Sequence, residues 1–434
     1  MTFTDVRRFL NLGQVRQSMR HARLPHRQGD HACKAGKEER DMRVLHTGDW
    51  HLGRTLEGRS RQKEQEQFID ELVAAADESR ADLVLMAGDV YDSVNPPAAA
   101  EQLFYEAAAR LTEGGRPLVV ISGNHDQPER VSSVSPLVGR HGITLIGLPT
   151  DRTITVQASR TGETAKIAAL PYPSEARLGE LLAKDTDESE LRLAYSARVG
   201  KLMQHLAGEF TPQTVNLAMS HIYVLGGVEC DSERPIQVGG AYTVDPSALD
   251  CGAQYTALGH LHRPQMVKGA GLIRYSGSPL AYSFSEAGQA KSVTLVDVAP
   301  GGEPVLEEIH LSCGRPLVKW DCTGGLEEVY RWLDEGRDAS AFIDLQIRLN
   351  EAMSMADIQR LRKAREGIVH IRPIYPEMER EAEAVMRSGL PVQELFRKFY
   401  QRQTGGAEPE DSLVELFLQL AAEDKGESGG EENA

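Results

Sequence analysis

Five short blocks of this 434-residue chain carry side chains whose types and spacing could do chemistry. They read Asp49-Trp50-His51, Gly88-Asp89, Gly123-Asn124-His125, Ser220-His221 and Gly259-His260-Leu261-His262, each just after a short apolar run. Asp49, His51, Asp89, Asn124, His221, His260 and His262 make a mixed oxygen and nitrogen donor set large enough for two divalent cations. Such a pair binds a phosphate and ionises a water beside it, lowering its pKa from about 15.7 towards roughly 7. Two cations bring about +4 and the two aspartates return about −2, because imidazole and amide ligands are neutral. The centre therefore keeps about +2 and attracts a phosphodiester. A His/Asp/Asn mixture suits manganese or iron better than calcium, magnesium or zinc, and manganese is the preferred ion.

The blocks differ in strength. An isolated D-x-H or Gly-Asp pair is common in turns, and Asn and Asp often serve turns themselves. All five in one order, each after a strand, make a far more specific pattern.

The elements that must gather these residues are readable. From Met42 the pattern alternates: strand Arg43–His46, helix about 61–79, strand Leu83–Ala87, a helix stopped by Gly114-Gly115, and strand Leu118–Ser122. This βαβαβ rhythm implies a largely parallel sheet covered by helices. Lys166–Leu170, Val215–Ser220, Tyr255–Leu258 and Gly271–Ser276 read as further strands, with 176–210 mostly helical. Every ligand candidate falls at a strand end, where open α/β sheets form their sites. The texture changes at Pro300-Gly301-Gly302. A compact α+β module follows over 313–376, then charged helices at Pro391–Gln403 and Ser412–Ala422. Phe396, Phe399, Tyr400, Leu413, Leu416, Phe417 and Leu420 recur there at helical spacing, which suits either an intramolecular helix pair or anchors for a partner.

The net charge of −16 argues mildly against a nucleic-acid coat protein, yet leaves a nuclease open, since cations can supply the attraction locally. Five scattered cysteines without a C-x-x-C pair suit reduced thiols in a cytoplasm. No run approaches the roughly 18 apolar residues of a membrane span, and no apolar h-region opens the chain. Residues 1–41 carry nine Lys/Arg against five acids and read as a disordered extension or an early start, in preference to a DNA-binding arm. Residues 407–434, with nine acids and one lysine, read as a solvated acidic tail. His46, in a strand, reads as core, and Tyr91 as packing; His205, His310 and His370 have no motif context. Arg54, Arg59 and Arg61 lie in a loop after the first block, where they could contact a nucleic-acid backbone or simply be solvated.

The blocks resemble those of the calcineurin-like metallophosphoesterase superfamily: D-x-H, G-D, G-N-H-[DE], H and G-H-x-H. Within it the match narrows to the bacterial SbcD nucleases, carried by Met42–Gly53, Gly88-Asp89-Val90-Tyr91-Asp92, Ile121–Asp126, Tyr275–Leu280 and Ser283-Phe284-Ser285-Glu286. The resemblance covers about 42–420. It implies a four-layer α/β sandwich over 42–300, a C-terminal α+β capping domain over 313–376, and helices over 377–434 that dock an SbcC-type ATPase. One cation is then held by Asp49, His51, Asp89 and His262, and the second by bridging Asp89 with Asn124, His221 and His260. His125 is implied as the group that stabilises the transition state and protonates the leaving oxygen, with Asp92 orienting it by hydrogen bond. The family implies double-strand 3′ to 5′ exonuclease and single-strand or hairpin endonuclease activity on DNA, in recombination, repair and replication, by a homodimer within a heterotetramer. The competing reading is a small-molecule or cyclic nucleotide phosphodiesterase built on the same five blocks, and a non-catalytic scaffold is the third. None of the ligands is missing, which disfavours the scaffold.

Overall fold

Strands in this chain read as unbroken apolar runs rather than alternating ones, because both of their faces are covered. The computed structural model describes residues 41–174, 177, 188–234, 242–375, 391–403 and 408–418. The basic N-terminal segment up to residue 40 and the acidic tail from 419 lie outside the described residues.

Strand β1 (Met42–Thr47) leads to the small hairpin β2 (Thr55–Leu56) and β3 (Arg59–Ser60), then helix α1 (Gln62–Glu78). Strand β4 (Leu83–Ala87), helix α2 (Ala98–Leu111), β5 (Leu118–Ile121) and β6 (Ile143–Ile146) follow. The second half supplies β7 (Ile154–Gln157), β8 (Thr164–Leu170), helix α3 (Glu188–Leu206), β9 (Val215–His221), β10 (Tyr255–Gly259), β11 (Gln265–Val267) and β12 (Leu272–Tyr275). A closing hairpin of β13 (Ser292–Val298) and β14 (Val305–His310) returns to β1.

These strands form two six-stranded sheets, ordered β14-β13-β1-β4-β5-β6 and β11-β12-β10-β9-β8-β7. The central strands of each are parallel and the antiparallel strands sit towards the edges. The two-residue side-chain period divides each strand between two cores. Val44, Leu83, Leu85, Val119 and Ile121 meet Ile167, Ala169, Leu217, Met219 and Ala257 of the other sheet. Leu45, Val84, Met86 and Val120 instead meet Phe68, Ile69 and Leu72 of α1 and Leu103, Phe104 and Leu111 of α2. Tyr195, Val199 and Met203 of α3 cover the outer face of the second sheet. The result is a four-layer α-β-β-α sandwich in which each large apolar side chain so buried contributes about 2 kcal/mol.

One boundary needs correction. The Pro300-Gly301-Gly302 segment, expected to end the domain at 300, is a hairpin turn. Gly302 N–H donates to Ala299 O at 2.9 Å, and β14 completes the first sheet. Proline and two glycines punctuate a turn as readily as a linker, so composition alone could not separate them.

The C-terminal module has its own three-stranded parallel sheet, β15 (Leu317–Cys322), β16 (Phe342–Arg348) and β17 (Ile368–Ile374), in sequential order. Helices α4 (Gly325–Asp334) and α5 (Met355–Ala364) close a separate core around Trp320, Ile343, Leu345 and Leu361. Ser354 caps α5 by accepting from Asp357 N–H. Helix α6 (Val392–Gln403) pairs with a helical segment at 411–418 through stacked Phe396 and Phe417 rings, 4.2 Å apart and 12° from coplanar. Leu420 and the Phe399 side chain lie outside the described residues.

Candidate metal centre

The site forms because β1 and β4 keep their parallel register for several residues after the strands end. Asp49 N–H donates to Gly88 O, His51 N–H to Asp89 O and Leu52 N–H to Val90 O, each at 3.0 Å. The first two blocks therefore run side by side. Asp49, His51 and Asp89 all adopt left-handed backbone, with φ of 53°, 46° and 49°, and His260 has φ of 108°. Each such conformation costs about 1–3 kcal/mol and persists where the surroundings enforce it, as functional sites do.

The third block is locked onto the second by Asp126, which lies outside the candidates that the sequence singles out. Asp126 is buried and accepts from Gly123 N–H at 2.8 Å, Tyr91 N–H at 3.0 Å and Val90 N–H at 3.1 Å. Burial and the nearby Asp89 charge push its carboxyl up to about 6. Its signal is the fourth letter of Gly-Asn-His-Asp. Arg177 braces the same turn, donating to Gly123 O at 2.7 Å and Asp126 O at 2.6 Å.

The second sheet delivers the remaining ligand candidates across the sandwich. His221, the last residue of β9, lies 2.9 Å through Nδ1 from Ala87 O, and His260 N–H donates to Asp49 Oδ1 at 2.8 Å. The motif glycines exist because these approaches leave no room. A Cβ at Gly123 would fall onto the Asp89 carboxylate, and one at Gly259 onto Ala87 O and within 2.9 Å of His221 Nδ1.

The donor atoms face one another. His51 Nε2 lies 3.0 Å from His262 Nε2, and His221 Nε2 lies 2.8 Å from Asn124 Oδ1. Asp89 Oδ2 sits between the two pairs, 3.6 Å from His51 Nε2 and 3.4 Å from His221 Nε2. Two ligand atoms about 2.1 Å from one cation and at right angles are about 3.0 Å apart, so the spacing fits shared coordination. Among the described residues Asp49 Oδ2 and His260 Nε2 are buried without a hydrogen-bond partner, a costly state that a cation relieves, and His125 Nε2 is likewise buried and unpaired. Asp49, His51 and His262 offer ligand atoms within 4.8 Å of one another, as do Asp49, Asp89 and His221, and as do His51, Asp89 and His125. Among the described residues His260 joins none of these three groups. Its ring centroid lies 5.5 Å from that of His221.

Without cations the cluster divides its protons unevenly. Burial would lower His221, yet the Asp89 and Asp49 carboxylates push it up to about 9. Burial likewise would raise Asp89, but His221, His125 and His51 hold it well below the usual carboxylate range. Burial dominates at Asp49, which rises well above that range, at His51, pushed down to about 3, and at His260, also lowered. His221 is thus an imidazolium at neutral pH, whereas a ligand must be neutral. Manganese loading near neutral pH is therefore expected to release at least about one proton. Calorimetric titration in buffers of different ionisation enthalpy measures this, and identical heats across the buffers would contradict it.

His262 is held by groups outside the five blocks. Its N–H donates to Glu233 Oε1 at 2.7 Å and its Nδ1 lies 2.6 Å from Ser232 Oγ. Beneath it Glu286 is ion-paired with Lys291, whose ammonium donates to His262 O at 2.9 Å. Ser283 and Glu286 form a capping box, a spacing that is legible as S-x-x-E. The Tyr282 hydroxyl donates to Trp50 O, and its ring packs 5.5 Å from His51.

Two expected roles change. Asp92 does meet His125, but through its backbone: its carbonyl lies 2.8 Å from His125 Nδ1. The Asp92 carboxylate faces away, 3.5 Å from His51 Nδ1 and 3.6 Å from Arg54 Nη1. Arg61 is not available to substrate. It is 1% exposed, paired with Glu64 at 2.6 Å and donating to Ala281 O at 2.9 Å. Loop position and charge gave no hint that Tyr282 and Phe342 would cover it, at 6.0 and 5.4 Å from their ring centroids. Arg61→Leu should lower stability by about 3 kcal/mol by stranding the Glu64 carboxylate. Urea unfolding checks this; a variant as stable as the parent would contradict it. Arg59 reaches Ile368 O of the module at 3.3 Å. Arg54 stays beside the centre, donating to Ser232 O at 2.8 Å and lying 5.0 Å over the Tyr282 ring.

A four-layer sandwich with clustered His, Asp and Asn at its strand ends defines a metal-dependent phosphoesterase. The calcineurin-like phosphoesterase family model matches residues 42–264, and a model described as the type 5 capsule protein repressor C-terminal domain matches 313–404. The chain is 53% identical over 383 residues to the SbcD component of the SbcCD nuclease of Bacillus subtilis, an alignment spanning 88% of this chain and 98% of that one. It is 34% identical to the protein of the same name in Rhodobacter capsulatus, over 64% of this chain and 70% of that one. Against its Escherichia coli K12 namesake the identity is 29%, over 87% and 97%. The chain belongs to the calcineurin-like phosphoesterases and, within them, to the SbcD nuclease subunits. It is a metal-dependent phosphodiesterase, and its family implies divalent metal ions.

Proposed function

We propose that this chain is a two-metal DNA nuclease, with double-strand 3′ to 5′ exonuclease and single-strand or hairpin endonuclease activity, working with an SbcC-type ATPase in the cytoplasm. The observation that carries the reading is the pair of facing donor sets on either side of Asp89. In this reading Asp49, His51, Asp89 and His262 hold one manganese ion, and Asp89, Asn124, His221 and His260 the second. When bound, the ions supply charge for the scissile phosphate and ionise the attacking water. The strained loops preorganise the ligands, so little rearrangement is needed.

His125 is the residue proposed to act on the leaving group. Its Nδ1 is held by the Asp92 carbonyl, leaving Nε2 as the atom that can meet substrate. As an imidazolium it would donate from both nitrogens at once, from Nδ1 to Asp92 O and from Nε2 to the departing oxygen. Arg54 is proposed to steer the strand. It lines a cleft of about 330 Å³ beside the centre, together with Tyr282 and with Lys319, His370 and Arg372 of the C-terminal module. That shared lining supports a capping role for the module.

Leu413 and Leu416 of the terminal helices are exposed, while Phe396 and Phe417 satisfy each other. The exposed pair supports partner docking on that face. A homodimer within a heterotetramer follows from the family resemblance and belongs to the same proposal. The test is cleavage of a labelled DNA hairpin and of cyclic AMP by the purified chain with manganese, with and without its ATPase partner and ATP. Hairpin cleavage abolished by chelation is expected. Turnover of the cyclic nucleotide alone would overturn the reading.

A further inference from the structure

We infer that Asp92 is a positioning residue for the metal ligand His51, acting through its carboxylate, while its backbone carbonyl independently sets His125. This inference rests on the metal reading of the site. His51 and His262 point their Nε2 atoms at each other across 3.0 Å, so both must present lone pairs there and carry their protons on Nδ1. For His262 the partner of Nδ1 is Ser232 Oγ at 2.6 Å. His51 Nδ1 is buried and completes no hydrogen bond among the described residues. The acceptor facing it is Asp92 Oδ1, at 3.5 Å. A modest closure of that gap would make the carboxylate–imidazole pair that fixes tautomer and ring orientation in metal sites.

The surroundings hold the carboxylate in that role. Arg54 Nη1 lies 3.6 Å from the same oxygen, and Arg54 is itself tied to Ser232 O at 2.8 Å. Arg54 therefore links the two groups that set the two facing imidazoles, Asp92 for His51 and Ser232 for His262. The Asp92 main chain is fixed separately, its N–H donating to Leu52 O at 3.2 Å. Hence its carbonyl can keep His125 Nδ1 at 2.8 Å whatever side chain the residue bears. The motif pattern pairs Asp92 with His125; the geometry divides the residue between two histidines by atom.

The division makes the test specific. Asp92→Ala should weaken binding of one of the two manganese ions by about 10- to 100-fold, the usual effect of removing a ligand's outer partner. Asp92→Asn, which keeps an acceptor oxygen, should recover part of that loss. Calorimetric titration with Mn2+ reads the affinities, and electron paramagnetic resonance reads whether the spin-coupled pair gives way to isolated ions. At saturating manganese the pH profile of DNA cleavage by Asp92→Ala should keep the parent's shape, because the carbonyl on His125 remains. Parent-like affinity for both ions in both variants would overturn the inference. So would a cleavage pH profile changed in Asp92→Ala as it is in His125→Asn. Failure of the parent chain to bind manganese would instead defeat the metal reading itself.

Discussion

Replacing His125 with Asn should lower DNA cleavage by about 10²- to 10⁴-fold while both manganese ions still bind. The asymmetry follows from where the imidazole sits. Its Nδ1 is satisfied by a main-chain carbonyl, its Nε2 is buried and unpaired among the described residues, and its ring packs edge-on against His51 at 4.7 Å. The backbone of residue 125 has a separate task, donating to Asp89 Oδ1 at 2.9 Å, and Asn leaves that hydrogen bond intact. Asn is smaller than His and loses the proton-donating nitrogen without adding charge to the cluster. Single-turnover cleavage measured beside manganese titration checks both halves. Parent-like cleavage would remove His125 from the chemistry, and loss of either ion would make it a ligand.

Gly123→Ala should do as much damage without replacing any ligand residue. The added methyl falls onto the carboxylate of Asp89, the group proposed to bridge both ions, so neither ion keeps its seat. Shifting the Asp89 loop to make room means breaking its ties to Asp126, which spans residues 90, 91 and 123. Overpacking of this kind costs about 1–3 kcal/mol, and cleavage should fall to background. Thermal unfolding and a chelation-controlled nuclease assay read the two effects. A variant with parent-like melting and activity would show that the turn is looser than the structure indicates.

Much of this was open to a reader of the sequence, for physical reasons that can be named. Leu83–Ala87 and Leu118–Ile121 are strands because they are short apolar runs bounded by turn residues, and buried on both faces they show no alternation to misread. The ligand candidates follow such runs, and this is why residues more than 200 positions apart were readable as neighbours. What stayed hidden depends on orientation and on distant partners. Nothing local distinguishes an Asp92 that offers its carbonyl to one histidine from one that offers its carboxylate. The burial of Arg61 is decided by Phe342, which lies in another module. The hairpin at Pro300-Gly301-Gly302 is decided by the long-range pairing of β14 with β13. Asp126 was visible as a letter, but its service to three amides is a property of the folded loops.

The most direct test of the account is anomalous diffraction from crystals of this chain soaked in manganese. Two peaks should appear with Asp89 between them, one beside His51 and His262 and the other beside His221 and Asn124. A single peak, none, or His221 or His262 turned out of the cluster would contradict it.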